Sequence, residues 1–178
     1  KKLSVITLLS GAYMRKAINF NENWIFKKEE KTEKVNIPHT WNSVDGQTGP
    51  EEYYRGICTY EKTFCKPLIE SNERCYIEFN GVNNGGYSTF RSDITDYLKN
   101  ENSLKVFVDN SPNDKVYPQR ADFTFYGGIY RDVNLIIVNE NHFDLDYYGG
   151  KGLYVTPRIE GNNAIVEIEA YFAGNADE

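Results

Sequence analysis

The sequence predicts an antiparallel β-sandwich, and three observations carry that prediction. Apolar and polar residues alternate with a period of two in several segments. Clusters of Gly, Asn, Asp and Pro separate those segments at short intervals. Only residues 92–99 have the pattern of a helical turn, with Ser92 or Asp93 able to cap its free amides. Many short strands with abundant turns and almost no helix are typical of two packed antiparallel sheets.

Four segments define the main expected strands. Residues 58–64, 75–79 and 104–108 alternate strictly, as strands with one buried face do. A longer run, 129–138, is expected to form one strand whose second face is partly covered. The residues expected on its core face are Ile129, Val133, Leu135 and Ile137.

A domain boundary is expected near residues 139–141, where a polar stretch ends the long strand. Beyond it, residues 153–155 and 166–170 predict two further strands around the turn at 160–163. A lone hairpin is marginally stable in water, so two strands do not make a domain. The sequence therefore predicts one sandwich over residues 15–140 and the opening strands of a second β-domain over 141–178.

Composition excludes several classes of function. The chain has 178 residues and a net charge of −6, and 40% of its residues are hydrophobic. An acidic chain without a cluster of Lys and Arg lacks the electrostatic footprint of a nucleic-acid-binding protein. No apolar run reaches the roughly 20 residues that a membrane-spanning helix needs. We therefore expect a folded chain with neither nucleic acid nor a membrane span among its interactions.

Residues 1–14 have the order of a secretory signal, with Lys1 and Lys2 before an apolar stretch and small residues. Two alternatives remain open, because Met14 is the only methionine: added sequence before a native start, or a genuine edge strand. A signal would place the protein in the periplasm or outside the cell. Without one, the protein would be cytoplasmic.

No metal or cofactor is expected. Cys58, Cys65 and Cys75 form no CxxC pair and have no His at zinc-finger spacing, so we interpret them as small buried or half-buried hydrophobic residues. No glycine-rich phosphate-binding motif is present. His39 is predicted to be a packed, hydrogen-bonded turn residue rather than a catalytic one.

Asp122 is the candidate binding residue, because it stands among aromatic residues just before Gly127 and Gly128. Aromatic rings stack on the apolar faces of sugars, and carboxylates accept hydrogen bonds from sugar hydroxyls. A carboxylate that accepts hydrogen bonds from neighbouring backbone amides is an equally open interpretation of the same residues.

The segment from Asp122 to Val133 closely resembles the amino-terminal sugar-binding domain of glycoside hydrolase family 2, the β-galactosidase family. Further segments resemble it in the same order, which makes chance similarity improbable. These segments are 23–26, 37–42, 54–64, 85–98 and 144–157.

This resemblance implies a jelly-roll sandwich, followed by the first strands of an immunoglobulin-like sandwich. It also implies a retaining, β-galactosidase-like glycosidase whose two catalytic glutamates lie on a later barrel, outside this chain. Asp122 matches a family residue that reaches the sugar pocket and binds substrate hydroxyls. Arg131 and Asp132 match motif residues for which a structural role is implied, as an ion pair or a turn bond at the start of a strand.

The sequence departs from the family pattern at Asn83 and Asn84, where the family has a further hairpin. Either residues are omitted there, which we favour, or the chain has lost the hairpin. A lost hairpin would open a sheet edge and favour pairing with another chain, so a homo-oligomer stays open. The residues do not indicate which sugar is bound.

Two rival functions remain. One is a non-catalytic carbohydrate-binding module that holds sugars through exposed aromatic rings, and the other is a purely structural β-sandwich. The rings considered are those of Tyr53, Tyr54, Tyr117, Phe123, Phe125 and Tyr126.

Overall fold

The computed structural model describes residues 15–43, 54–82, 88–113, 126–146 and 149–174. Within those ranges the regular structure is mainly β-strand, with a 3₁₀ turn at Thr95–Tyr97. The strands are β1 Lys16–Asn19, β2 Trp24–Lys28, β3 Lys31–Val35, β4 His39–Thr40, β5 Ile57–Cys65, β6 Glu73–Phe79, β7 Phe90–Asp93, β8 Glu101–Asp109, β9 Gly128–Ile129, β10 Val133–Asn139, β11 His142–Phe143, β12 Leu153–Glu160, β13 Asn163–Ala170 and β14 Phe172–Ala173. No helix in the described ranges has the length and apolar character needed to cross a membrane.

Two four-stranded antiparallel sheets form the sandwich, which confirms the predicted fold class. One sheet has the order β3-β2-β5-β8 and the other the order β1-β10-β6-β7. Three smaller pairs, β4 with β9, β11 with β14 and β12 with β13, complete the described structure. In each large sheet only one pair of neighbouring strands is consecutive in the chain, β2 with β3 and β6 with β7, so the sandwich depends on contacts between remote parts of the chain.

The core lies between the two large sheets and is built from the alternate residues of each strand. The first sheet contributes Trp24, Phe26, Cys58, Tyr60 and Val108, and the second contributes Cys75, Ile77, Phe79, Val133, Leu135 and Ile137. Aromatic rings also meet edge to face in this core: the Phe20 centroid lies 5.0 Å from that of the partly buried Phe64.

The outer face of the second sheet is also covered. Tyr76, Ile136 and Val138 point away from the main core and pack with Leu145 in a second apolar cluster. Leu145 belongs to the segment that leads from the sandwich to β12, so this segment lies across the sheet. The expected covering of the second face of the long strand is therefore confirmed.

A buried ion pair holds the same segment. Arg91 donates from Nε to Glu78 Oε2 at 2.6 Å, and the two side chains are only 4% and 7% exposed. Arg91 Nη1 also donates to the carbonyl oxygens of Leu145, Gly149 and Gly150, at 2.6, 3.2 and 3.0 Å. Arg15 forms a second ion pair with Glu78 at 2.7 Å. One guanidinium thus joins the sheet to the segment that crosses it.

The single long strand expected over residues 129–138 is wrong in one respect, because it is interrupted between β9 and β10. Asp132 accepts hydrogen bonds there from Asn80 N–H through its carbonyl at 3.0 Å, and from Asn21 Nδ2 through its side chain at 2.9 Å. Asn21 Oδ1 in turn accepts from Val133 N–H at 2.8 Å. These turn bonds redirect the backbone. The core-facing residues on both sides of the break are nevertheless those predicted.

The predicted helical turn is shorter than expected, and Ser92 and Asp93 lie in β7. Asp93 still accepts hydrogen bonds from Thr95 N–H at 2.9 Å and from Thr95 Oγ1 at 2.6 Å.

Among the cysteines, Cys58 and Cys75 are buried, and burial raises the pKa of each thiol to about 11. Cys65 is exposed, so its predicted burial is wrong, because it lies at the end of β5 on the rim of the sheet.

The hairpin β12–β13 has one entirely apolar face. Its two-residue loop contains Gly161 at a φ of 61°, as the first position of a type II′ turn requires. Every residue of both strands is exposed in the described structure. The alternation and the register place these residues together on one face: Leu153, Val155, Pro157, Ile159, Ala164, Val166, Ile168 and Ala170.

We predict that Arg91→Met lowers the free energy of unfolding by about 3 kcal/mol, because it removes one partner of a buried ion pair and the donor to three carbonyls. Urea denaturation followed by far-UV circular dichroism measures this change. Lys31→Met is the matched control, because Lys31 and Glu33 are 74% and 40% exposed and 3.8 Å apart. Its expected effect is below about 0.5 kcal/mol. Equal effects of the two substitutions would contradict the prediction.

Candidate functional site

The candidate site lies at one end of the sandwich, where hydrogen bonds bring together Asn42, Tyr54, Asn110 and Gly127. Asp122 precedes Gly127 by five positions in the sequence and lies outside the described residues.

Two buried asparagines make those hydrogen bonds. Asn42 and Asn110 are fully enclosed, at 0% and 1% exposure. Asn42 Oδ1 accepts from Gly127 N–H at 2.7 Å and from Asn110 Nδ2 at 3.4 Å. The side chains of Asn42 and Asn110 both donate to the Tyr54 carbonyl, at 3.2 and 3.1 Å. Asn110 Oδ1 accepts from Gly56 N–H at 2.7 Å. The backbone at Tyr54, Gly56 and Gly127 is therefore bound by the same two side-chain amides.

Gly127 closes this network because it has no side chain. A Cβ there would enter the ring of Trp41 and would lie 2.7 Å from Asn110 Nδ2. The Gly127 carbonyl accepts hydrogen bonds from Thr40 Oγ1 at 2.9 Å and from Trp41 N–H at 3.2 Å. The short ladder of β4 with β9 continues this contact. The absence of a side chain at Gly127 thus permits this close approach to Trp41 and Asn110.

An aromatic cluster supports the site from inside the sandwich. His39 Nδ1 is 2.7 Å from the hydroxyl of Tyr60, and the Phe26 ring lies between Trp41 and Tyr60 at centroid distances of 5.9 and 5.0 Å. Burial lowers the pKa of His39 and raises that of Tyr60. His39 is hydrogen-bonded and packed as predicted, although it lies in β4 and not in a turn.

Trp41 has a buried donor without a partner. Its indole Nε1 is shielded from solvent and finds no hydrogen-bond acceptor among the residues that the structure describes. An unpaired buried donor costs about 1–3 kcal/mol, so it favours any acceptor brought to this end of the sandwich.

Asp122 lies outside the described residues, as do Tyr53, Tyr117, Phe123 and Phe125. Tyr54 is half-buried, with the Lys28 ammonium 4.3 Å from its ring centroid. Tyr126, four residues after Asp122 in the sequence, is 51% exposed. Of the aromatic rings considered for sugar binding, the described structure therefore offers Tyr126 as an open surface at this end.

Asp132 makes the turn bonds described above, three residues beyond β9. The methylene groups of Arg131 fill the space beside Gly81, where a Cβ would lie 2.9 Å from Arg131 Cδ. Both residues therefore contact the loop that follows β6, on the side of β10 where the strand begins.

The described ranges contain no group of three or more His, Cys, Asp or Glu residues that could hold a metal ion. The residues that organise the site, Asn42 and Asn110, were not singled out from the sequence. Asn42 follows Trp41 and Asn110 follows Asp109, and each reads locally as an ordinary turn residue. Only their meeting across 68 positions makes them distinctive.

Comparison with known proteins points to one kind of enzyme. The β-glucuronidase of Bacteroides fragilis is 34% identical over 166 residues, an alignment that covers 82% of this chain and 24% of that protein. The β-galactosidase of Thermoanaerobacter pseudethanolicus is 29% identical over 192 residues, covering 90% of this chain and 25% of that protein. The chain thus spans about a quarter of the length of these curated relatives. No family model matches the chain.

Solved structures agree with these relatives. The FMN-binding β-glucuronidase from Faecalibacterium prausnitzii L2-6 has a TM-score of 0.84 at 41% identity, over 92% of this chain and 29% of that one. A calcium-binding mutant of Bacteroides uniformis β-glucuronidase 2 has a TM-score of 0.82 at 28% identity, over 93% of this chain and 23% of that one. The chain therefore has the fold of a β-sandwich part of such glycosidases.

We predict that Gly127→Ala lowers the free energy of unfolding by about 1–3 kcal/mol, because the added methyl group forces Trp41 or Asn110 to move. Chemical denaturation measures the loss, and intrinsic tryptophan fluorescence reports the displacement of Trp41. Gly161→Ala is the control. It also adds a methyl group, with nothing within 4 Å of the new atom. Alanine is strained at a φ of 61°, so this variant also loses stability, but it should leave the tryptophan fluorescence unchanged. Unchanged tryptophan fluorescence in Gly127→Ala would contradict the prediction.

A second prediction concerns pH. Because burial lowers the pKa of His39 below its ordinary value of 6.5, the unfolded chain binds more protons at this residue than the folded chain does just below pH 6.5. The contribution of His39 to stability is therefore present above pH 6.5 and is lost as the pH falls through the folded-state pKa. Unfolding free energies at pH 7.5 and 5.5 should differ less in His39→Gln than in the parent chain. An equal difference would refute this assignment.

Proposed function

We propose that the chain is the amino-terminal part of a retaining glycoside hydrolase of family 2, an enzyme of the β-galactosidase and β-glucuronidase kind that hydrolyses O-glycosidic bonds. The observation that carries the proposal is the similarity of sequence and fold together, at 41% identity and a TM-score of 0.84 over 92% of the chain. In this proposal the sandwich buttresses a catalytic barrel, and the two catalytic glutamates lie on that barrel.

The second part of the proposal concerns Asp122 as a contact to substrate hydroxyls. Its support is the position of Gly127, five residues after Asp122 in the sequence. The hydrogen-bonded pair Asn42 and Asn110 holds Gly127 at the end of the sandwich. Binding groups are commonly carried by loops on a rigid scaffold. The exposed ring of Tyr126 and the unpaired Trp41 donor are at the same end. A carboxylate held there would bind hydroxyls through charge-assisted hydrogen bonds.

The third part concerns the hairpin β12–β13. We propose that residues 141–178 open an immunoglobulin-like sandwich, in which a second sheet covers the apolar face of the hairpin. The support is physical, because an exposed apolar face over both strands of a two-stranded hairpin is unstable in water.

The proposal predicts that Asp122→Asn lowers kcat/KM roughly tenfold to a hundredfold in the glycosidase that contains this chain, because a charged hydrogen-bond acceptor contributes about 1.5–3 kcal/mol. Steady-state hydrolysis of 4-nitrophenyl β-glucuronide and β-galactoside measures the change. Asp114→Asn is the matched control. Asp114 lies eight positions before Asp122 in the sequence, and its substitution should leave kcat/KM unchanged. Equal effects of the two substitutions would remove Asp122 from the binding site.

The purified 178-residue chain separates this function from its rivals. It should hydrolyse neither glycoside, because the proposed catalytic glutamates belong to the barrel. Turnover by the isolated chain would overturn the proposal. Millimolar binding of sugars by the isolated chain, measured by calorimetry and lost in Tyr126→Ala, would instead support a carbohydrate-binding module.

A further inference from the structure

His39 makes a hydrogen bond whose direction can be assigned. Its Nδ1 lies 2.7 Å from the hydroxyl of Tyr60, and Tyr60 is fully buried on β5. The backbone of Ile129 also hydrogen-bonds to this hydroxyl and opposes the rise of its pKa, as an N–H donor does. The Tyr60 oxygen is thus an acceptor for Ile129, and the hydrogen of the hydroxyl needs an acceptor of its own.

His39 Nδ1 is that acceptor. If Nδ1 carried a hydrogen, the Tyr60 oxygen would accept twice and the hydroxyl hydrogen would lie among apolar rings. The ring centroids of Phe26 and Trp24 lie 5.0 and 6.5 Å from that of Tyr60. A buried donor without an acceptor is unfavourable, so the Tyr60 hydroxyl donates to Nδ1 and neutral His39 carries its hydrogen on Nε2.

The second histidine of the chain has the opposite assignment. His142 Nδ1 lies 2.8 Å from the carbonyl oxygen of Asn139 and 3.0 Å from that of Glu140. Carbonyl oxygens only accept hydrogen bonds, so Nδ1 of neutral His142 carries the hydrogen. Its Nε2 faces the hydroxyl of Tyr76 at 3.3 Å. His142 is therefore an internal reference for any method that distinguishes the two neutral forms of an imidazole.

His39 also begins the segment that binds Gly127. Its backbone pairs with that of Ile129 in the ladder of β4 with β9. The three residues that follow His39 each hydrogen-bond to the backbone of Gly127: Thr40, Trp41 and Asn42. A displacement of the His39 ring from Tyr60 therefore acts on the same short segment that holds Gly127.

We propose that His39 is a proton-sensitive contact: the neutral ring holds β4 against β9, and a proton taken up at Nδ1 releases β4 together with its bonds to Gly127. The physical reason is that a hydrogen on Nδ1 leaves the buried Tyr60 hydroxyl without its acceptor. The inference is independent of the proposed enzymatic function.

The surroundings of the His39 ring determine the pH of this release. Among the described residues, Glu33 on β3 is the charged group that favours the cation, whereas burial disfavours it and is the larger influence. Tyr60 is the titratable group on β5, the Phe26 ring faces His39 from β2, and β9 contributes no titratable side chain. The pKa of His39 is therefore lowered from 6.5, and release is expected below that pH.

Nuclear magnetic resonance of the ¹⁵N-labelled chain tests the assignment and the release together. At pH 7.5, long-range ¹H–¹⁵N spectra should show His39 with its hydrogen on Nε2 and His142 with its hydrogen on Nδ1. Between pH 7.5 and 5.0, the hydrogen-exchange protection of the Gly127 and Trp41 amides, corrected for intrinsic rates, should fall at least about tenfold and follow the ionisation of His39. The Val133 amide, which donates to Asn21 Oδ1 at 2.8 Å, should keep its protection.

Three substitutions separate this contact from ordinary packing, with far-UV circular dichroism to check that each variant folds. His39→Gln cannot take up the proton, so the protection of the Gly127 amide should be equal at both pH values. Tyr60→Phe removes the hydroxyl and keeps His39 ionisable, so His39 should ionise at a higher pH and the loss of protection should be smaller. Glu33→Gln removes the charge that favours the cation and should move the ionisation of His39 to a lower pH.

Four results would overturn the proposal. The first is a hydrogen on Nδ1 of His39 at pH 7.5, and the second is a His39 ring that stays neutral down to pH 5.0. The third is an ionised His39 with unchanged protection of the Gly127 amide. The fourth is a loss of protection in His39→Gln as large as in the parent chain, because other groups would then cause the release.

Discussion

The hydrogen-bonded pair of asparagines at the end of the sandwich is the interaction on which the candidate site depends. Asn42 and Asn110 are both buried. The Asn42 amide binds backbone groups of Tyr54 and Gly127, and the Asn110 amide binds backbone groups of Tyr54 and Gly56. Buried amides are expensive unless their donors and acceptors are paired, so the arrangement tolerates few alternatives. Asn42, Tyr54, Asn110 and Gly127 are therefore held together at this end of the sandwich.

The close approach at Gly127 follows from the same constraint. Because Asn42 Oδ1 accepts from Gly127 N–H, the backbone at Gly127 lies directly against the Trp41 ring. The ring in turn packs on Phe26 in the core. The hydrogen bonds of Asn42 and the packing of Trp41 on Phe26 thus position one another. A sugar-binding residue carried close to Gly127 would be positioned by the same contacts.

Arg91 and Glu78 form a second buried polar centre, which holds the segment that leads to the hairpin β12–β13. Arg91 binds Glu78 on the sheet and three carbonyls of the crossing segment, so it sets where the chain leaves the sandwich. In the proposed glycosidase this junction would orient the following domain. The two centres lie on different parts of the sandwich, and both join segments that are more than fifty residues apart in sequence.

Sequence alone determined the long strands β5, β6, β8 and β10 and their buried faces, because alternation with a period of two is a local property that any correct β-fold must satisfy. The core positions of β10 and the hairpin β12–β13 were predictable for that reason. The break at Asp132, the exposure of Cys65 and the roles of Asn42, Asn110 and Arg91 were decided only by the tertiary structure. Each depends on a polar group meeting a partner from a distant segment, and local patterns carry no information about which partner that will be.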